Sequence, residues 1–205
     1  MNLPTVFIVD DDAAVRDSLA LLLNLKQRRT ETFASAEAFL AAYQPEQPGC
    51  LLLDVRMPGM SGLELQRELE RRGILLPVIV ITAHGDVATT RTALKAGAFD
   101  FLEKPVDDEL LFDVIDNALD IDASRRSTAA MIDSRRERLQ RLTRREREVM
   151  ELLADGRHNR EIAEALGISP RTVEVYRARM MEKLQARNLA DLIRIILETR
   201  AGPGS

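Results

Sequence analysis

The sequence predicts a doubly wound, mainly parallel α/β domain followed by a small all-helical domain. Apolar runs at residues 6–9, 30–33, 51–53, 78–81 and 99–102 are each too short to be a helix and alternate with helix-period segments. After Leu142 the punctuation changes to that of four short helices. The charge changes with it: residues 1–138 hold 16 Lys+Arg against 23 Asp+Glu, and residues 139–205 hold 13 against 10. An acidic front and a basic back point to different partners, with a polyanion suited to the second.

The predicted elements follow in order. Between the five runs lie Val15, Leu19, Leu22 and Leu23; Ala36, Phe39 and Leu40; Leu63, Leu65 and Leu69; Ala93 and Leu94; and Leu111, Val114, Ile115 and Leu119, each set at helical spacing. Strand–helix alternation of this kind builds a parallel sheet covered on both faces, and ligands bind where the carboxyl ends of its strands converge. Between Pro105 and Gly156 there is neither Pro nor Gly, and residues 123–141 are polar and Arg-rich. They are expected to be a helical linker that continues the last helix of the first domain, residues 1–122. In the second domain, residues 142–200, Thr143 with Glu146 forms a capping box and Gly156 ends the first helix. Asn159 opens a short helix that Gly167 closes, Ser169-Pro170 caps the next, and Asn188 caps the last.

Composition sets limits. The chain has 205 residues, 45% hydrophobic and 30% charged, ordinary for a globular protein of one large or two small domains. Cys50 is the single cysteine, so no intrachain disulfide forms and a buried strand thiol in a reducing compartment is expected. The start, Met1-Asn2-Leu3-Pro4, fits neither a signal peptide nor a membrane span, and a cytoplasmic location is expected.

Chemistry concentrates after the strand ends: Asp10-Asp11 after the first, Asp54 after the third, Thr82 after the fourth and Lys104-Pro105 after the fifth. Two or three carboxylates gathered on one sheet edge repel unless a cation lies among them, and Mg²⁺, a hard ion that takes one or two carboxylates plus phosphate oxygens, suits the set. An Asp carboxylate is a competent nucleophile toward a phosphoryl donor. The set Val9-Asp10-Asp11, Asp54-Val55-Arg56-Met57-Pro58-Gly59, Thr82-Ala83 and Lys104-Pro105, with Ser61-Gly62, resembles the receiver domain of two-component response regulators over about the first 122 residues. The resemblance implies a flavodoxin-like, five-stranded parallel sheet. It also implies Asp54 as phosphoacceptor, Mg²⁺ (or Mn²⁺) held by Asp10, Asp11, Asp54 and the Arg56 carbonyl, Lys104 and Thr82 on the phosphoryl group, and Phe101 as a switch aromatic. His84 is read as a loop residue without a catalytic part. The chain departs from the family at Lys26-Gln27-Arg28-Arg29, where a Gly-Phe pair is usual before the second strand.

The segments Leu142-Thr143-Arg144-Arg145-Glu146, Asn159-Arg160-Glu161-Ile162-Ala163, Ser169-Pro170-Arg171-Thr172-Val173 and Met181-Glu182-Lys183-Leu184 are similar to the LuxR-type helix-turn-helix. The whole architecture resembles the FixJ/NarL class, nearest its FixJ branch; Tyr176 stands where His is usual. At helical spacing Val173, Met180 and Leu184 form a core face flanked by Tyr176 and Arg177. Arg171, Glu174, Val175, Ala178, Arg179 and Glu182 lie opposite, a mix suited to guanine, cytosine amino groups and thymine methyls in a major groove. Thr172, Arg177 and Lys183 are assigned to phosphates. Apolar positions of the last helix, Leu189, Leu192, Ile193, Ile196 and Leu197, exceed what a small domain buries and are expected to serve a dimer contact in part.

The partners expected are a sensor histidine kinase, promoter DNA, a second copy when phosphorylated and RNA polymerase, with no membrane. Arg91 and Lys95 are expected to pair with Asp107, Asp108 and Asp113 across the activated dimer face. Two other readings stay open at this level: a phosphohydrolase whose nucleophile lies in Asp10-Asp11-Asp12, and a receiver-like binding module that is never phosphorylated.

Overall fold

The structure, a computed structural model, describes residues 3–83 and 97–201. Contacts divide the chain into two compact units, residues 1–127 and 128–205.

In the first unit the strands are β1 (Thr5–Val9), β2 (Arg29–Phe33), β3 (Gly49–Asp54), β4 (Val78–Thr82) and β5 (Asp100–Glu103). They form one parallel sheet in the order β2-β1-β3-β4-β5. Its described helices are α1 (Ala13–Leu25), α2 (Ala36–Ala42), α3 (Gly62–Arg71) and the long α4 (Asp108–Gln140), which continues into the second unit. A strand in a parallel sheet alternates side chains between two covered faces, so its sequence reads as one apolar run. Phe7, Leu51, Leu53 and Val80 pack with Phe39 of α2 and Leu65 and Leu69 of α3. Val6, Ile8, Leu52 and Ile79 pack on the other face with Leu23 of α1 and Leu111 and Ile115 of α4. Cys50 belongs to this second face, and burial pushes its thiol up to about 12, leaving it a packing residue without nucleophilic thiolate.

The described strands begin and end within two residues of the apolar runs, several extended by polar ends: Arg29 starts β2, and β3 and β4 run on to include Asp54 and Thr82. Pairing decides those ends, because the ladder continues past the last apolar side chain. At the unusual Lys26–Arg29 segment, α1 ends at Leu25 and Gln27 takes a left-handed conformation, φ 58°. The neighbouring cations reach α4: the Lys26 ammonium lies 5.3 Å from the centre of the Phe112 ring, and Arg28 pairs with Asp116.

The second unit contains α5 (Arg144–Ala154), α6 (Asn159–Leu166), α7 (Pro170–Leu184) and α8 (Leu189–Ala201). Their core joins Leu142, Val149, Leu153, Ile162, Val173, Met180, Leu184, Leu192 and Ile196. The Thr143–Glu146 capping box is formed, Gly167 closes α6 at φ 65°, and Ser169 Oγ accepts from the Thr172 N–H at the start of α7. Asn188 Oδ1 accepts from the Asp191 N–H in the first turn of α8. The polar stretch after residue 122 is helical as far as Gln140. None of the described helices is long and apolar enough to cross a membrane.

Candidate functional site

Strand order reverses between β1 and β3, so the chain leaves these two strands toward opposite faces and a crevice opens at their carboxyl ends. Asp10 follows β1 and Asp54 ends β3 at that crevice; Thr82 ends the neighbouring β4, and Lys104 follows β5. Residues far apart in sequence meet there. Lys104 Nζ lies 2.7 Å from Asp10 Oδ2 and 2.8 Å from Asp54 Oδ1, one ammonium bridging two carboxylates.

The carboxylates are buried, with Asp10 3% and Asp54 8% exposed, and their other oxygens are held by local amides. The Asp12 N–H donates to Asp10 Oδ1 at 2.9 Å and the Arg56 N–H to Asp54 Oδ2 at 2.7 Å. Asp12 itself caps α1 by accepting from the Ala14 N–H, which accounts for the third acid of the run. Burial opposes the Lys104 charge, but its hydrogen bonds to Asp10 and Asp54 outweigh burial and hold its pKa above the ordinary lysine value. A raised lysine pKa keeps the ammonium, and the stability it contributes, in place at every pH below its free value. The Lys104 N–H donates to the Thr82 carbonyl at 2.8 Å, fixing the residue that carries the ammonium beside the end of β4. Thr82 is buried and Phe101 half-buried against the α2–α3 face.

The loop after Asp54 is shaped by close approach. A Cβ on Gly62 would stand 2.1 Å from the Asp54 carbonyl oxygen, so only glycine permits α3 to start there. Ser61 and Glu64 close a capping box at the same point, and the Met60 N–H donates to Glu37 Oε1 at 3.0 Å. Glu37 was not legible as a loop-holding residue, because its partner lies 23 positions away.

Asp11 and the Arg56 side chain are exposed at the rim. Among the described residues no three His, Cys, Asp or Glu side chains already converge as a metal cage. The donor set nevertheless fits a hard cation: Asp10, Asp11 and Asp54 with Lys104 leave a formal surplus of two negative charges, presented on oxygen.

On α7, Val173, Met180 and Leu184 are buried, while Arg171, Glu174, Val175, Ala178, Arg179 and Glu182 are exposed on one face. Val175, 44% exposed, is an apolar group in the middle of that polar surface. The residues assigned to phosphates already have protein partners. Arg177 Nη1 donates to Asn159 Oδ1 at 2.7 Å, and the Thr172 hydroxyl lies 2.8 Å from that of Ser169. Lys183 Nζ sits 2.6 Å from Glu146 Oε2, whose side chain is 2% exposed. In the sequence Glu146 is legible only as half of a capping box; its ion pair spans 37 positions and has no local signal. His84, Arg91 and Lys95 lie outside the described residues.

The crevice and the helix-turn-helix together define a class, a phosphoacceptor-type receiver joined to a DNA-binding unit. Residues 6–116 match the response regulator receiver domain, and residues 140–196 match the bacterial regulatory proteins of the luxR family. The chain is 47% identical over 201 residues to the transcriptional regulatory protein FixJ of Azorhizobium caulinodans, covering 97% of this chain and 94% of that one. It is 45% identical to the C4-dicarboxylate transport transcriptional regulatory protein DctR of Rhodobacter capsulatus, covering 93% and 98%. Among solved structures it is similar to the response regulator StyR (TM-score 0.90, 44% identity, 96% and 99% covered). It is also similar to full-length FixJ from B. japonicum (TM-score 0.59, 40% identity, 98% of each). The chain belongs to the FixJ-type two-component response regulators and is a transcription factor of that family.

Proposed function

We propose that Asp54 accepts a phosphoryl group from the phosphohistidine of a sensor kinase and that the modified chain dimerises and binds promoter DNA. The observation that carries this reading is the Lys104 ammonium bridging Asp10 and Asp54. A carboxylate oxygen of Asp54 attacks phosphorus as the bond to the donor nitrogen breaks, and the product is an acyl phosphate on Asp54. Lys104, already charged and at hydrogen-bond distance, follows the new negative charge from carboxylate to phosphoryl oxygen. Mg²⁺ (or Mn²⁺), held by Asp10, Asp11, Asp54 and the Arg56 carbonyl, would supply charge neutralisation to the transferring group. Thr82 then offers its hydroxyl to the phosphoryl group, and the half-buried Phe101 turns inward with it.

In the second unit Arg171, Glu174, Val175, Ala178 and Arg179 read base edges. Thr172 contributes a phosphate contact, while Arg177 and Lys183 exchange protein partners for phosphates or hold α7 in place through Asn159 and Glu146. Dimerisation pairs two half-sites, supported by the exposed Leu189 and Leu197 of α8. The DNA-bound form acts on transcription through RNA polymerase in the cytoplasm.

The test is incubation with acetyl phosphate and Mg²⁺ followed by intact mass. Wild type should gain one phosphoryl group and Asp54→Asn none. Labelling of Asp54→Asn, or multiple-turnover phosphatase activity surviving in it, would overturn the reading.

A further inference from the structure

Asp10, Asp54 and Asp122 are the buried acidic side chains among the described residues of the first unit, and Asp122 has no part in the chemistry above. It lies on α4 at the start of β3, the strand that ends in Asp54. The Gly49 N–H donates to Asp122 Oδ2 at 3.0 Å across 73 positions of sequence. A Cβ on Gly49 would stand 1.9 Å from the Thr5 carbonyl oxygen, so this first residue of β3 approaches β1 as only glycine can.

Two arginines complete the network. Arg125 Nη2 lies 2.9 Å from Asp122 Oδ1 and Arg126 Nε 2.6 Å from Oδ2. Arg126 also donates to the Pro45 carbonyl at 3.1 Å and to the Gln47 carbonyl at 2.8 Å. One guanidinium thus joins the helix to the loop before β3 while its carboxylate partner holds the strand itself.

The position of this clamp is informative. Apolar burial of α4 runs through Leu111, Val114, Ile115, Ala118 and Leu119; Asp122 is its last buried residue, and none from 123 to 140 is buried. The two units divide one residue beyond Arg126, between Ser127 and Thr128. A helical segment without a buried apolar face is marginal in water, so what holds its first turn decides how much of it persists.

We infer that the Asp122–Arg126 clamp is the receiver-side anchor of the linker helix, the point through which the state of Asp54 is passed to the DNA-binding half. The inference rests on the proposed function for what is passed; the anchor itself rests on the contacts above. Asp122 and Arg126 are positioning residues in this scheme, touching neither phosphoryl group nor DNA. Without them the helix unwinds back to Leu119, and phosphorylation proceeds but no longer commands DNA binding.

The test uses the full chain as wild type, Asp122→Asn, Arg126→Ala and, as a control that removes one charge from an exposed position of the same helix, Arg136→Ala. Three readouts are taken: phosphoryl uptake from acetyl phosphate with Mg²⁺ by intact mass, amide hydrogen exchange over residues 119–140, and affinity with and without phosphodonor for a DNA fragment selected with the wild type. Both clamp variants should take up phosphate as wild type does. Their amides in 119–130 should exchange about tenfold faster or more. The phosphorylation-dependent gain in DNA affinity should fall about tenfold where the wild type shows it, with Arg136→Ala unchanged.

Wild-type exchange rates in both variants, or a full phosphorylation-dependent gain in both, overturns the anchor. A wild type that takes up no phosphate overturns the proposed function instead, and the exchange readout then decides the anchor alone. If Asp122→Asn does not melt cooperatively, Arg126→Ala decides, since it leaves Asp122 paired to Arg125 and Gly49.

Discussion

Lys183 and Glu146 show how a residue's role changes once its partner is known. Lys183 reads as a phosphate contact because it is a cation on a DNA-binding helix; its ammonium lies 2.6 Å from a buried carboxylate. Burial raises the Glu146 pKa, but the Lys183 hydrogen bond and those from the Thr143 N–H and hydroxyl outweigh it and hold the carboxyl below its free value of 4.5. A depressed folded pKa means that ionised Glu146 stabilises the domain above pH 4.5, and that this contribution is lost as pH falls through the lower folded value. Lys183→Met should cost about 3 kcal/mol in urea unfolding at pH 7, because it leaves a buried charge without its partner. A loss under about 1 kcal/mol would return Lys183 to the solvated surface. Gln27 is a second instance, an L-residue at φ 58° where glycine is conformationally free. Gln27→Gly should raise stability by about 0.5–1 kcal/mol in the same assay, since it removes left-handed strain beyond the end of α1.

Among the elements, α7 is the clearest case of a sequence pattern dictating a face. Its N-cap and Pro170 start the helix, and the spacing of Val173, Met180 and Leu184 alone determines which side is left for a ligand. The residues proposed to read bases and those proposed to contact phosphates on that helix separate by measurement. Glu174→Ala should relax preference at one base pair by about 1–3 kcal/mol in a site-selection assay, while Thr172→Ala lowers affinity more evenly across sequences. Uniform weakening by Glu174→Ala would remove Glu174 from base recognition. The long α4 is the contrasting element. Its amphipathic half was legible from Leu111 to Leu119, and the absence of Pro and Gly allowed it to continue. Arg125 and Arg126 stand at helical spacing from Asp122, but that pattern alone did not show Asp122 to be the residue that ties the helix down, because the Gly49 amide and the carbonyls of Pro45 and Gln47 belong to another part of the chain.

At the scale of the whole molecule, the acidic first unit and basic second one fit the proposed division between phosphoryl chemistry and polyanion binding. DNA affinity should therefore fall steeply and linearly in a plot of log K against log salt, the slope giving the number of phosphates neutralised. A flat salt dependence would contradict phosphate contact by the second unit. The alternation of strands with helices, the helical run past residue 122, the caps of the second unit and the strand-end positions of Asp10, Asp54, Thr82 and Lys104 were legible in the sequence. Each depends on local period or on punctuation by Asp, Ser, Pro and Gly, which act over a few residues. The Lys104 bridge between Asp10 and Asp54, the Glu146–Lys183 pair and the Asp122 clamp were decided only by the tertiary structure. A buried polar group takes partners from whichever strand or helix the fold brings alongside: Lys104 comes to Asp10 and Asp54, Lys183 to Glu146 and the Gly49 amide to Asp122 across 37 to 94 positions, where no periodicity reaches, although Arg125 and Arg126 lie within a turn of Asp122.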